Sequence, residues 1–309
     1  MTKDIKDTDA AAALASLVLA GKPDYKVLKR IVPNLQQAAP DGRRLLKGVI
    51  VDTETTGLLQ DSDAIIELGM VRFEYDPLTG QVYNTPETFD QLEQPPFPIP
   101  PESTEVHGIT NEMVAGKKID DAAVDHFLDG VAIAIAHNAA FDRVFLEKRL
   151  PVFEKLPWAC SLSQIDWRGE GIGSAKLEYI AFKFGFFFDA HRADADCLAL
   201  LSILQQPLPK SGTLALKALL AQARQASYRA YANGAPFETK DALKARAYRW
   251  DGDKRCWHKT VTGPVSLKEE TEWLKTEVYG GRSAKLEIEE FDSKTRFSSR
   301  SGNRMMQEI

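Results

Sequence analysis

The chain has 309 residues, 27% of them charged, and a formal net charge of −5. That length suits one sizeable domain with additions, or two small ones, and no apolar run reaches the roughly 20 residues that a membrane-spanning helix needs. Cys160, Cys197 and Cys256 lie far apart, with no CxxC pair and no His/Cys cluster. This argues against structural zinc and for buried thiols in a reducing, cytoplasmic setting. Charge is unevenly placed: residues 1–208 carry 20 Lys/Arg against 31 Asp/Glu, and residues 209–309 carry 19 against 13. An acidic stretch is followed by a basic one, which fits a site made of carboxylates joined to a part able to touch phosphates.

In chain order, residues 1–45 read as a helical N-terminal extension. Residues 10–20 have the length of a signal-peptide core, but Lys3 and Lys6 are interleaved with Asp4, Asp7 and Asp9, so no basic leader precedes them. The expectation is a helix capped by Thr8 or Asp9, with Leu14, Leu17 and Val18 as its apolar stripe and Gly21 and Pro23 at its end. Residues 45–51, 64–75 and 81–92 read as three strands, the first an apolar run typical of a buried strand and the last two joined by a turn at 76–80. A proline-rich loop, 94–101, leads into alternation: helix 119–128, strand 131–136, helix 140–149, strand 158–161, and helices 175–184 and 192–204. The expected class is α/β, a mixed sheet flanked by helices over residues 46–207.

Pro207–Gly212 reads as a linker. Residues 212–292 are expected as a small basic α+β unit. It comprises helix 214–225, strand 228–232, short helix 240–246, a hairpin around Asp251-Gly-Asp-Lys254, a helix to Tyr279 opened by the capping box Ser266–Glu269, and a strand 285–291. Residues 293–309 are expected as a polar, flexible tail.

Three segments carry candidate chemistry. In Val51-Asp-Thr-Glu-Thr-Thr-Gly-Leu58, Asp52 and Glu54 are two apart on a strand and aim at one point. Two adjacent anions repel unless a cation sits between them, and hard oxygen ligands suit Mg²⁺ or Mn²⁺; taken alone, the pair reads first as a solvated strand end. In His137-Asn-Ala-Ala-Phe-Asp142, Asp142 falls in the first turn of a helix, where the helix dipole also favours it. In His191-Arg-Ala-Asp-Ala-Asp196, His191 precedes a helix that contains Asp196, which alone is an ordinary capped start.

Taken together and in order, these segments resemble the motifs of the DnaQ-like, or DEDDh, exonuclease family. Ile66-Glu-Leu-Gly69 and Val106-His-Gly-Ile-Thr110 are similar to further family segments, and the resemblance covers residues 46–206. Within the family the chain resembles the proofreading subunit of bacterial replicative DNA polymerase. The resemblance implies a ribonuclease-H-like fold and 3′→5′ hydrolysis of phosphodiester bonds. It implies two divalent ions, Mg²⁺ or Mn²⁺, held by Asp52, Glu54, Asp142 and Asp196, with His191 as general base. It also implies softer substrate contacts from Thr55 and Gly57, and from His107 and Ile109, where a side chain would wedge between bases. Asn138 is expected to fix its own turn, Phe141 to lie in the core, and Asp194 on the surface.

The resemblance leaves residues 1–45 and 212–309 unexplained. Tyr248, Arg249, Trp250, Arg255, Trp257 and Lys259 put aromatics and cations on one hairpin, which reads either as a single-strand platform or as a small core with solvated charges. The expected partner is nucleic acid, DNA ahead of RNA, with no membrane. A polymerase-bound proofreading subunit is one alternative, and a catalytically silent nucleic-acid-binding protein is another. Because every implied ligand precedes residue 197, the chain up to Pro207 is expected to fold and hydrolyse alone, with residues 208–309 adding salt-dependent grip.

Overall fold

Gly48–Val51 is buried on both sides and takes the centre of a five-stranded sheet. The computed structural model describes residues 12–19, 21–31, 38, 39 and 42–309. Strand β1 is Lys29–Arg30, β2 Leu46–Thr55, β3 Ile65–Tyr75, β4 Val82–Leu92, β5 Val131–Ala136 and β6 Trp158–Cys160. The sheet order is β4-β3-β2-β5-β6. β2 pairs antiparallel with β3 and parallel with β5, so the sheet is mixed.

The two-residue period of the strands divides the core into two layers. Ile50, Val71, Ile133 and Ile135 face helices Leu177–Phe184 and Ala193–Leu204. Val49, Val51, Leu68, Met70 and Ala134 face helices Asp121–Phe127 and Ala139–Arg149. This is the ribonuclease-H-like arrangement the motifs imply. All three cysteines are free and buried, as expected. Among the described residues no helix is long and apolar enough to cross a membrane.

A second sheet follows. Its strands are β8 Ser227–Ala232, β9 Arg249–Asp251, β10 Cys256–Thr262, β11 Lys285–Phe291 and β12 Asn303–Glu308, in the order β12-β11-β8-β10-β9. Helices Lys240–Ala245 and Pro264–Trp273 accompany it, the latter extended by a wider turn over Leu274–Val278. That helix starts at Pro264 with no side-chain cap, so the Ser266–Glu269 box is not its N-terminus.

Four expectations on the extensions differ from the structure. Residues 12–19 are helical, but Leu14, Leu17 and Val18 are 64%, 75% and 57% exposed. The Thr8 and Asp9 caps lie outside the described residues. Lys29–Arg30 is not helical; it pairs in parallel with β7, Phe186–Phe187. Helix Ala215–Ala223, expected to open the C-terminal unit, instead buries Ala215, Leu216, Leu219, Leu220 and Ala223 in the first core. Finally, residues 303–308 of the expected tail form β12 along β11.

The segment before β12 docks on the first sheet's own helix. Arg143 is fully buried one residue after Asp142, and its guanidinium donates to the carbonyls of Arg296 and Lys294 as well as to Glu147 at 2.6 Å. Glu147 also accepts from Arg300 at 2.9 Å and from Ser298. A buried guanidinium needs these acceptors, because unpaired buried charge is costly. The expectation that residues 1–207 suffice is therefore set aside: that cut removes a core helix and the carbonyls that satisfy Arg143. Arg143→Ala is expected to lower the unfolding free energy by about 3–5 kcal/mol, the usual cost of breaking a buried pair, as measured by urea denaturation. A loss below about 1 kcal/mol would mean that the segment rests on the surface only.

Candidate active site

The site forms where β2 ends. Asp52 lies opposite Gly69 and Glu54 opposite Glu67 in the β2–β3 register. Both acids project to one face, toward the start of helix Ala193–Leu204. That helix comes close because Gly69 has no side chain: a Cβ there would lie 2.3 Å from the Ala193 carbonyl carbon. Asp196 is thereby brought beside the strand, and carboxylate oxygens of Asp52, Glu54 and Asp196 all lie within 4.8 Å of one another.

Glu67 fixes the same helix from below. It is fully buried, takes two bonds from Arg192 at 2.9 and 2.6 Å, and accepts from the Ala193 backbone N–H at 3.0 Å. Asp196 in turn accepts from the backbone N–H groups of His191 and Arg192, at 2.8 and 3.3 Å. In the sequence Glu67 and Gly69 stand only inside a family-like segment; their work is long-range and leaves no local periodic signal.

Asp142 sits just outside the trio. It is 2% exposed, and its Oδ1 accepts from the Thr53 hydroxyl at 2.9 Å and from the Thr53 backbone N–H at 3.1 Å. Its charge still reaches the trio. Burial, then Asp142, Asp196 and Glu54, push the Asp52 carboxyl well above its ordinary range. Burial, then Asp196, Glu67 and Asp142, raise Glu54 to about 8, opposed by Arg192. Burial also raises Asp142 and Asp196, against the N–H and hydroxyl groups that hold their ionised forms. A site that holds its protons this firmly for want of positive charge suits a hard divalent cation. The oxygen-only donor set of Asp52, Glu54 and Asp196 fits one.

His191 stands at the rim. Its backbone is left-handed, φ 66°, and its Nε2 lies 3.9 Å from Glu178 with both side chains 52% exposed. It is near enough to the trio to favour the ionised form of Asp196. His107 is buried, accepts from the Ile109 N–H at Nδ1, and holds Nε2 beside the Thr55 backbone without a regular hydrogen bond.

The softer expectations fare unevenly. Ile109 is fully buried with Ile66, Ile99 and Val114, so it packs a small core and offers no wedge to a base. Thr55 is buried and gives its hydroxyl to the Gly57 carbonyl at 2.6 Å. Gly57 has no side chain because the Asp63 carboxylate fills that space, 2.6 Å from a Cβ. Asn138 makes no capping bond; it takes φ 84°, a left-handed turn that asparagine tolerates. Phe141 packs on the second core, as expected.

The hairpin divides by face. Tyr248 is buried and stacks on Trp273 at 6.0 Å. Lys259 pairs with buried Glu270 at 2.7 Å. Trp257 is partly buried against the small core and meets Trp250 edge-on at 5.5 Å. Trp250 is 52% exposed, and Arg249 and Arg255 are exposed beside it. Tyr248 and Lys259 are thus core and ion pair, and Trp250, Arg249 and Arg255 are surface.

Residues 49–204 match the model of the family described as Exonuclease. The DNA polymerase III subunit epsilon of Treponema pallidum (strain Nichols) is 31% identical over 166 residues, 50% of this chain and 74% of that protein. The PolC-type DNA polymerase III of Clostridium perfringens (strain 13 / Type A) is 32% identical over 169 residues, 51% of this chain and 11% of that protein. Among solved structures, exonuclease X in complex with 5′-overhanging duplex DNA is 27% identical, with a TM-score of 0.40 over 56% of this chain and 97% of that one. Exonuclease I is 18% identical with a TM-score of 0.46, over 70% of this chain and 62% of that one.

The chain belongs to the exonuclease family, in the DnaQ-like group that its motifs resemble. It is a nuclease-type hydrolase, and Asp52, Glu54 and Asp196 form a group that could hold a metal ion.

Two outcomes follow from this geometry. Without metal, the folded carboxylates hold protons more tightly than unfolded ones. Their contribution is therefore in place at low pH and is lost as pH rises from the ordinary 4.5 of a glutamate toward the 8 of Glu54. Metal-free protein should lose thermal stability across that window, and one fixed Mn²⁺ concentration, about 100 times the Kd at pH 8, should restore about 2.7 kcal/mol at pH 8 and less at pH 5. Equal Mn²⁺ shifts at both pH values would contradict the cluster. Gly69→Ala should weaken Mn²⁺ affinity about tenfold or more by displacing the Asp196 helix, whereas unchanged affinity would show that the helix yields freely.

Proposed function

We propose that the chain is a 3′→5′ exonuclease that removes nucleoside monophosphates from nucleic-acid 3′ ends, DNA ahead of RNA. The observation that carries this reading is the convergence of Asp52, Glu54 and Asp196 within 4.8 Å, with Asp142 alongside, inside the family-matched segment. Two ions, Mg²⁺ or Mn²⁺, would be held by these four carboxylates and would stabilise charge on the entering and leaving oxygens when bound.

The protein's own groups do the rest. Asp196 and the backbone around it tether the loop that carries His191. The His191 imidazole takes a proton from the attacking water, the role of a general base. The water oxygen bonds to the terminal phosphorus, the bond to the preceding 3′-oxygen breaks, and that oxygen leaves on the shortened strand. Glu67 and Gly69 hold Asp196 in place; Thr53 holds Asp142.

A second reading is a proofreading subunit acting in trans, favoured by the 31% identity to a polymerase III subunit named epsilon. It shares the chemistry and differs in partner. A catalytically silent binding protein is disfavoured, since all four acids and the histidine are present.

Asp52→Ala and Asp142→Ala should abolish hydrolysis while the protein stays folded. His191→Ala should lower turnover about 10²–10⁴-fold, the usual worth of a general base. The assay uses 5′-labelled and 3′-labelled oligonucleotides with Mg²⁺. A ladder shortened from the 3′ end is expected; hydrolysis by a cleanly folded Asp52→Ala protein, or release from the 5′ end, would refute the proposal.

A further inference from the structure

A cleft of ≈ 640 Å³ lies between the two sheets, away from the carboxylate trio. Its lining contains Arg229, Arg249 and Arg296 and not one Asp or Glu, in a chain whose net charge is −5. One rim is Asn138 and Ala140, from the start of the helix that carries Asp142.

Buried donors in this cleft lack acceptors. Among the described residues, Gln164 Nε2, Arg229 Nε and Arg296 Nε are buried without a hydrogen-bond partner, and all three residues line it. Gln164 and Arg296 are only 9% and 5% exposed. A buried donor without a partner is costly, and three of them belong to residues that line this one cleft.

The donors are also held in place. Gln164 Oε1 accepts from the Cys160 N–H at 2.8 Å, which leaves only its amide nitrogen to serve a ligand. Arg296 is anchored through its terminal nitrogens on the carbonyls of Ala223 and Gln225. The Arg229 guanidinium lies over the Phe291 ring, 5.0 Å from its centre. At the mouth, Arg249 is exposed. One terminal nitrogen of Arg229 lies 3.7 Å from Glu289, a carboxylate outside the lining. Fixed guanidinium and amide donors in a lining free of carboxylates are the chemistry of a phosphate site.

We propose that this cleft is a second phosphate-binding site, which takes a nucleotide unit of a nucleic-acid strand at a distance from the carboxylates. The proposal rests on the exonuclease reading for the identity of the strand. The same donors would hold the phosphate of a free nucleotide, so the test separates the two sources.

The test titrates full-length protein in EDTA, where no hydrolysis intervenes, with single-stranded oligonucleotides, with deoxyadenosine monophosphate and with inorganic phosphate. It compares wild type with Arg249→Glu/Thr260→Glu, which changes two exposed cleft residues, and with Lys268→Glu, a charge control outside the cleft. Thermal unfolding verifies that each variant is folded. The double variant should bind oligonucleotide about tenfold or more weakly and lower the slope of log affinity against log salt by about one per lost phosphate contact. The Lys268→Glu control should match wild type. A loss confined to oligonucleotides assigns the site to a strand, and a parallel loss for the mononucleotide or phosphate assigns it to a free nucleotide; both support a phosphate site. Affinities equal to those of the control for every probe would overturn it. Because the titration needs no turnover, a wild-type protein that fails to hydrolyse would defeat the exonuclease reading while leaving this result legible.

Discussion

Mutual repulsion among carboxylates at the end of β2 is the constraint around which the rest of the protein is arranged. Asp52 and Glu54 share a face because strand residues alternate, and Glu67 lies directly across from Glu54. Asp196 is then brought into the same few ångströms. Left to itself such a cluster would spread or stay protonated. The fold prevents the first: Arg192 neutralises Glu67, two backbone N–H groups hold Asp196, and Thr53 holds Asp142. It leaves the second in force, with Glu54 held protonated up to about 8. What remains unsatisfied is a demand for positive charge, and that demand is the chemistry of the site.

The same constraint explains a glycine. A helix dipole is most useful to acids at its N-terminus, but helix Ala193–Leu204 can approach the sheet only where a side chain is missing. Gly69, across from Asp52, supplies the gap. The second sheet is tied to the same machinery from the other side. Arg143 follows Asp142 in sequence and is satisfied by carbonyls of residues 293–296. The C-terminal unit is therefore part of the structure that holds the Asp142 helix, as well as one wall of a cationic cleft.

Much of this was legible in sequence. Apolar runs placed β3, β5 and β6 within a residue, and the start but not the end of β2, which runs four residues past the expected 51 to Thr55; the alternating pattern after them implied the mixed sheet. Asp52 and Glu54 stand in one local motif and Asp196 in another, and the three meet in space. What escaped was non-local. Asn303–Glu308 reads NRMMQE, with no alternation to mark a strand, and becomes one because β11 offers an edge. Helix Ala215–Ala223 has an apolar stripe that serves either domain equally well, and only packing assigns it to the first core. The family resemblance points Ile109 toward substrate, whereas its burial assigns it to packing. Trp257 opposite Trp250 shows why the hairpin defied a single reading, since one ring packs inward and the other meets solvent.

The central claim is that the acids at the end of β2 form one cation site. Anomalous scattering from crystals grown with Mn²⁺ tests it most directly. The account predicts a manganese peak bounded by oxygens of Asp52, Glu54 and Asp196, lost in Asp52→Asn crystals of the same form. Manganese absent from this cluster while bound elsewhere on the protein, or a peak unchanged by Asp52→Asn, would contradict it.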